Sequence, residues 1–304
     1  MRHRANILAL LLQLSYNLLA QDGGASLLSS YLKHFGLKLV PFRTTPDPAF
    51  AYATREHQLA VAKIQYSVEE HQGIFLLQGD IGCGKTTVSQ FMLNAWRDDT
   101  SMAVAYITNP SVRTPSQFLR LILTHFGLEP PYRLQDNWDA LRSMLVGNYR
   151  AGKNTTLVLD EAHTISPENM ETLTHISNEQ TQKEKLIQIV LLAQPNIIRK
   201  LTYKPALRDR IAHGSTLNPL SFEDALGMLR HRLQVAGGDF DALFPGSIIH
   251  DMYNTTRGVP RRLCMLGDSL LLNAFAAGKR HVDEQALSDA LQDLTFKGWQ
   301  EKSK

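Results

Sequence analysis

Nine consecutive residues, Gly79-Asp80-Ile81-Gly82-Cys83-Gly84-Lys85-Thr86-Thr87, restrict this chain more than any other stretch. They fit G-x-x-x-x-G-K-[ST], a loop that cradles phosphates provided that a strand precedes it and a helix follows. Both are present: Ile74 to Leu77 is an apolar run, and Val88, Phe91, Met92, Ala95 and Trp96 recur at helical spacing. The glycines let the backbone wrap phosphate oxygens, and successive N–H groups at the helix start donate to them. Lys85 is placed to reach β- and γ-phosphates, and the Thr86 hydroxyl to ligate Mg²⁺. The expected ligand is therefore a nucleoside triphosphate with Mg²⁺.

The surrounding pattern predicts one architecture. Strands are expected at 74–78, Met102 to Ile107, Thr155 to Leu159 and Leu186 to Leu192, with a last short strand after Arg210. Helices are expected from Thr54 to Val68, over 85–97, and over Pro115 to Phe126 and Trp138 to Tyr149. Ser166-Pro167 marks a further helix start, with a capping hydroxyl and a proline in the first turn. Strands alternating with helices give an α/β fold, a parallel sheet with helices on both faces. After Pro219 the strands stop. Segments 221–235, 246–256, 260–277 and 282–294 have helical period, separated by Gly237-Gly238, Gly258 and Gly278. The chain thus reads as a nucleotide-binding domain over 31–219 and a small all-helical domain over 220–304. Between them and the start, Pro41, Pro46 and Pro48 forbid a helix and predict an extended segment pinned against the body.

A second nucleotide signal closes the third apolar run: Leu157-Val158-Leu159-Asp160-Glu161-Ala162-His163. An acidic residue at the carboxyl end of a buried strand faces the crevice where open α/β sheets bind ligands. Asp160 is the expected second Mg²⁺ ligand, and Glu161 the group that polarises the attacking water. The adjacent carboxylates favour hydrolysis over transfer to a small molecule. The base is expected to be adenine, because no Asn-Lys-x-Asp segment for reading guanine occurs. Three further positions each carry two readings. Gln194 ends the next strand, as a water- or γ-phosphate-holding group or a plain polar terminus. Arg208 and Arg210 are surface charges or a finger reaching a neighbouring subunit's nucleotide. Arg261 and Arg262, after Gly258-Val259-Pro260, are solvated helix-start charges or a contact to the γ-phosphate.

Residues 1–30 differ from the rest. Arg2 and Arg4 precede an apolar run from Ile7 to Ala20, which resembles a secretory signal but is interrupted by Gln13, Ser15, Tyr16 and Asn17. An amphipathic helix, a weak membrane anchor and an extension from an upstream start codon all fit, and the last is preferred. The two cysteines, Cys83 and Cys264, make no disulfide framework and no metal spacing; Cys83 is expected to fill space in the phosphate loop. With a formal net charge of only +3, nucleic-acid binding would need a local patch, for which Arg113 and Arg120 are the candidates.

At this point the sequence resembles an ATPase of the AAA+ class, specifically the ExeA/GspA-like (MshM-like) group, over about residues 31–295. The residues that carry the resemblance are Tyr31-Leu32-Lys33-His34-Phe35-Gly36-Leu37, Pro41-Phe42, Thr45-Pro46-Asp47-Pro48, His57 and the phosphate loop. Beyond it they are Leu159-Asp160-Glu161-Ala162, Gln194-Pro195, Leu207-Arg208-Asp209-Arg210-Ile211 and Gly258-Val259-Pro260-Arg261-Arg262. The resemblance implies that Gln194 is sensor 1, Arg210 the arginine finger and Arg261 sensor 2, with Pro41–Pro48 bordering the adenine pocket. It further implies a homo-oligomeric ring or filament, acting in the cytoplasm or peripherally at the inner membrane, as an accessory ATPase of secretion or pilus assembly. Two departures stand out. Asp80 replaces a glutamate common in this loop, and the transmembrane and peptidoglycan-binding parts of longer members are not found, so direct cell-wall attachment is not expected. The same core is similar to TnsC- and TniB-like transposition ATPases, which assemble on DNA, and this is the alternative reading.

Overall fold

The computed structural model describes residues 26–45 and 47–294; the expectations for residues 1–25 lie outside them. The chain divides into two compact units, one spanning Ala53–Asn218, the other joining the segment up to Tyr52 to the chain from Pro219 onward.

The Ala53–Asn218 unit is the α/β unit. Its elements are α2 (Arg55–Glu69), β1 (Ile74–Gly79), α3 (Lys85–Trp96), β2 (Met102–Ile107), α4 (Pro115–His125) and α5 (Leu134–Arg150), then β3 (Asn154–Leu159), α6 (Pro167–Ile176), β4 (Gln188–Ala193), α7 (Ile197–Thr202), α8 (Pro205–Arg208) and β5 (Ile211–Leu217). All strands pair in parallel, in the order β2-β3-β4-β1-β5. Continuous apolar strands follow from burial on both faces. Ile74, Leu76, Leu157, Leu159, Ile189 and Leu191 pack on the side of α4, α5 and α6. Phe75, Leu77, Val158, Val190 and Leu192 pack on the side of α2 and α3, with Ala60, Ile64, Val88 and Met92. The expected strands and helices are present, with α5 starting a turn earlier than the pattern indicated.

The order has a consequence for chemistry. β4 lies between β1, which delivers the phosphate loop, and β3, which delivers Asp160 and Glu161. The register pairs Gln78 with Ala193 and Leu159 with Leu191, so all three strands end at one edge. Residues that follow their last positions share that edge.

The other unit is helical: α1 (Leu27–Phe35), α9 (Phe222–Val235), α10 (Phe240–Leu243), α11 (Gly246–Thr256), α12 (Pro260–Ala276) and α13 (Glu284–Leu294). Here the structure differs from the domain limits read from the sequence, which placed 31–52 with the nucleotide domain. Tyr31, Phe35, Leu37, Phe42 and Phe50 are buried in one core with Leu229, Leu233, Leu263, Leu270 and Phe275. Each such side chain contributes about 1.5–3 kcal/mol when fully buried, so the aromatics decide where the segment goes. Side-chain bonds to the main chain add to it: Arg232 Nη1 donates to the carbonyls of Pro41 at 3.0 Å and Arg43 at 3.2 Å. Nor is the proline segment wholly extended, since Pro48–Phe50 forms one 3₁₀ turn capped by Asp47. In Gly258-Val259-Pro260 the glycine is obligatory. Its φ is +71°, and a Cβ there would collide with the Leu220 carbonyl, while Leu220 N donates to Gly258 O at 2.9 Å.

Candidate functional site

The phosphate loop leaves β1 at Gly79 and becomes α3 at Lys85. Gly82 and Gly84 take φ of +87° and +96°, a region that side chains disfavour. Cys83 is fully buried beside Ala60, Ile64 and Val88, the filler position expected for it. Asp80 and Ile81 are exposed, as is Thr86 in the first turn of α3, and Thr87 is half-buried. The Lys85 ammonium turns into the loop, where Nζ donates to the carbonyls of Gly79 at 2.7 Å and Asp80 at 3.1 Å. Burial lowers its pKa, and the nearby Glu161 and Asp160 carboxylates pull the other way.

Asp160 follows β3 directly. Its Oδ1 accepts from the Glu161 N–H at 2.8 Å and its Oδ2 from the Tyr106 hydroxyl at 2.9 Å. Tyr106 stands there because β2 and β3 run in register, Tyr106 beside Val158 and Ile107 beside Leu159. The Tyr106 hydroxyl also lies 3.4 Å from Ser89 Oγ, and its pKa is pushed up to about 12, mainly by burial. The carboxyl of Asp160, only 7 % exposed, is likewise raised by burial.

Glu161 has φ +52° and ψ +34°, the left-handed region. For a non-glycine residue this costs on the order of 1–2 kcal/mol, and such strain collects at functional sites. The turn aims the carboxylate at the end of β4, where Gln194 Nε2 donates to Glu161 Oε2 at 3.4 Å. His163 Nε2 is 3.5 Å from the same oxygen. Because the Gln194 N–H donates to His163 Nδ1 at 3.4 Å, the imidazole proton sits on Nε2, facing Glu161. Burial lowers the His163 pKa and favours this neutral form. Lys200 fixes the turn from behind, donating to the carbonyls of His163 at 2.5 Å and Ile165 at 3.0 Å.

Lys85, Asp160, Glu161 and Gln194 therefore converge where β1, β3 and β4 end. Arg210 bonds elsewhere in the same unit, through Nε to Asn178 Oδ1 at 2.7 Å and Nη1 to the Ala206 carbonyl at 2.5 Å. Arg208 pairs with its neighbour Asp209 at 3.1 Å. Arg113 is exposed ahead of α4 and Arg120 half-buried on it. Arg261 is exposed in the first turn of α12, in the helical unit. Sequence reasoning gave no role to Tyr106, His163, Lys200 or Ser89. Tyr106 lies inside an apolar run, and only the strand register brings it to Asp160.

The donor set fits Mg²⁺ of the phosphate-bound kind. One hydroxyl, Thr86, and one carboxylate, Asp160, suit a cation that keeps water and phosphate oxygens as its other ligands. Among the described residues no group of three or more His, Cys, Asp or Glu could hold a metal by itself.

The raised pKa of Asp160 gives a prediction about stability. Its carboxyl titrates higher folded than unfolded, so its contribution is present below the unfolded value and is lost as pH rises through the folded one. At neutral pH the ionised group is a burden on the nucleotide-free fold. Asp160→Asn is expected to raise the melting temperature by a few degrees at neutral pH, a gain that shrinks as pH falls through the raised pKa of the folded-state carboxyl. Thermal unfolding of both proteins across pH without nucleotide checks it.

A family model described as an AAA domain matches residues 68–201. The chain is 34% identical over 272 residues to General secretion pathway protein A of Aeromonas hydrophila, covering 87% of this chain and 48% of that protein. It thus spans about half the length of that relative. Among solved structures, the Aeropyrum pernix ORC2 protein in ADPNP–ADP complexes superposes with a TM-score of 0.61 at 17% identity, covering 83% of this chain and 71% of that one. Drosophila ORC bound to DNA gives a TM-score of 0.67 at 14% identity, covering 90% of this chain and 67% of that one. Among the described residues no helix is long and apolar enough to cross a membrane.

Proposed function

We propose that this chain, with an AAA domain over residues 68–201 and an ExeA/GspA-like sequence, is an AAA+ protein that binds Mg-ATP in the phosphate loop and hydrolyses it to ADP and phosphate, as an accessory ATPase of secretion or pilus assembly. The observation that carries the reading is the convergence of Lys85, Asp160, Glu161 and Gln194 at one sheet edge. In this reading the N–H groups of Gly82 to Thr87 and the Lys85 ammonium bind the phosphates, while Thr86 and Asp160 hold the cation. Bound Mg²⁺ would supply charge neutralisation on the phosphates. Glu161 accepts the proton of the attacking water, and Gln194 holds that water or the γ-phosphate. Arg261, carried by the helical unit, reports nucleotide state, and Arg210 completes a neighbour's site in a ring or filament. The segment Pro41–Pro48 borders the adenine.

The secretion link draws on the name of the relative at 34% identity. Action in the cytoplasm or peripherally at the inner membrane goes with that link. The alternative, a TnsC/TniB-like DNA-bound regulator of transposition, draws on the resemblance of the core to those ATPases and on Arg113 and Arg120 as phosphate contacts, and likeness to a DNA-bound ORC speaks for the fold alone. The test is ATP turnover and particle size with and without duplex DNA, at two salt concentrations. Turnover and ATP-driven assembly indifferent to DNA are expected. A salt-sensitive rise in either with DNA would move the transposition reading ahead, and no turnover under any condition would remove the ATPase reading.

A further inference from the structure

We propose that His57 is a positioning residue for the phosphate loop: its ring, fixed by Thr54, holds the backbone at Gly84 in its phosphate-binding shape. This rests on the nucleotide reading of the loop and deepens it. His57 sits in the first turn of α2, whose cap is Thr54; Thr54 Oγ1 accepts from the His57 N–H at 3.4 Å. The same hydroxyl bonds His57 Nδ1 at 2.6 Å, and both side chains are buried, at 4 % and 5 % exposure. With one ring nitrogen anchored, the other end of the imidazole is directed at the loop. A Cβ on Gly84 would collide with Nε2 and stand 3.2 Å from Cδ2 and 3.3 Å from Cε1. The ring therefore meets the loop end-on, where φ is +96°.

The neighbouring loop residue is held by the same helix. Cys83 packs with Ala60 and Ile64, which follow His57 on one face of α2 at helical spacing. One helix face thus fixes consecutive loop residues, 83 through an apolar contact and 84 through the imidazole. A loop held in its bound shape before ligand arrives avoids an ordering cost on binding. Losing the brace should accordingly raise KM and the dissociation constant while sparing the chemical step.

Cys83 supplies a readout that needs no nucleotide. Both cysteines are buried, so in the unaltered protein N-ethylmaleimide should label them slowly, and peptide masses distinguish Cys83 from Cys264. In His57→Ala, labelling of Cys83 is expected to quicken about tenfold with Cys264 unchanged. Binding of a fluorescent ATP analogue should weaken by about tenfold, with kcat at saturation kept within about twofold. Thr54→Ser, which keeps the hydroxyl, should behave as the unaltered protein, and Thr54→Val, which unanchors the ring, should follow His57→Ala. A selective gain at Cys83 in either His57→Ala or Thr54→Val supports the brace. No selective gain in both overturns it, whether neither cysteine or both become reactive. If the unaltered protein binds no ATP analogue while Cys83 still gains reactivity selectively, the brace stands and the nucleotide reading falls.

Discussion

Glu161→Gln is expected to keep ATP binding within about twofold and to lower turnover by at least about 100-fold, the smaller end of what a general base contributes. The substitution conserves shape, so the polar contacts around position 161 can persist. The single amide oxygen can take the place of Glu161 Oε2, the one atom that both Gln194 Nε2 and His163 Nε2–H approach. What the amide cannot do is take a proton from water. The left-handed backbone at 161 is set by the turn that Lys200 and the β4 end hold, not by the charge, so the side chain should keep its direction. Because Glu161 touches neither the loop glycines nor Lys85 through any described hydrogen bond, phosphate affinity should change little. Equilibrium binding of an ATP analogue and single-turnover hydrolysis, measured on the same protein, separate the two effects. Turnover undiminished by the substitution would leave Glu161 without its role.

Much of this arrangement is legible in the sequence. The phosphate loop is readable because its chemistry demands glycine at fixed places, and Asp160-Glu161 because the carboxylate pair closes an apolar run downstream of that loop. The alternation of strands and helices identifies a parallel sheet for the same kind of reason. Strand order is a different matter: nothing local in Gln188–Ala193 says that β4 inserts between β1 and β3, and only that insertion puts Gln194 beside Glu161. The side chains that complete the site were hidden by their surroundings. Tyr106 sits in an apolar run, and His57, though among the residues that carry the resemblance, has no role that the spacing of its helix assigns. Each acquires a partner through register or packing over long sequence separations, which periodicity cannot encode. The segment from Tyr31 to Tyr52 reads as part of the nucleotide domain because it directly precedes it in the chain. Its aromatic rings are complementary to helices two hundred residues away, and burial outweighed proximity.

For Arg210 the expected result is a loss of about 1,000-fold in the turnover of assembled Arg210→Ala, the lower range for arginine fingers. Arg208→Ala serves as the comparison. Its guanidinium is exposed and paired with Asp209, an arrangement worth about 0–1 kcal/mol, so it should cost little. Arg210 is held differently, by Asn178 Oδ1 and the Ala206 carbonyl. Those bonds use two of the five donors that a guanidinium carries, which leaves hydrogen-bonding capacity for a phosphoryl group. The loss alone would not say whether the arginine acts on its own subunit's nucleotide or the next one's. Mixing does. Arg210→Ala keeps Glu161, and Glu161→Gln keeps Arg210, so an interface between the two variants in one orientation holds an intact set. With equal amounts and random assembly through head-to-tail interfaces, about one quarter of the sites should be whole. Turnover recovering toward that fraction, from two proteins each nearly inactive, is the signature of action in trans. Mixtures no more active than their parts would place Arg210 in its own subunit's chemistry or outside it, and the ring or filament would lose the residue on which it rests.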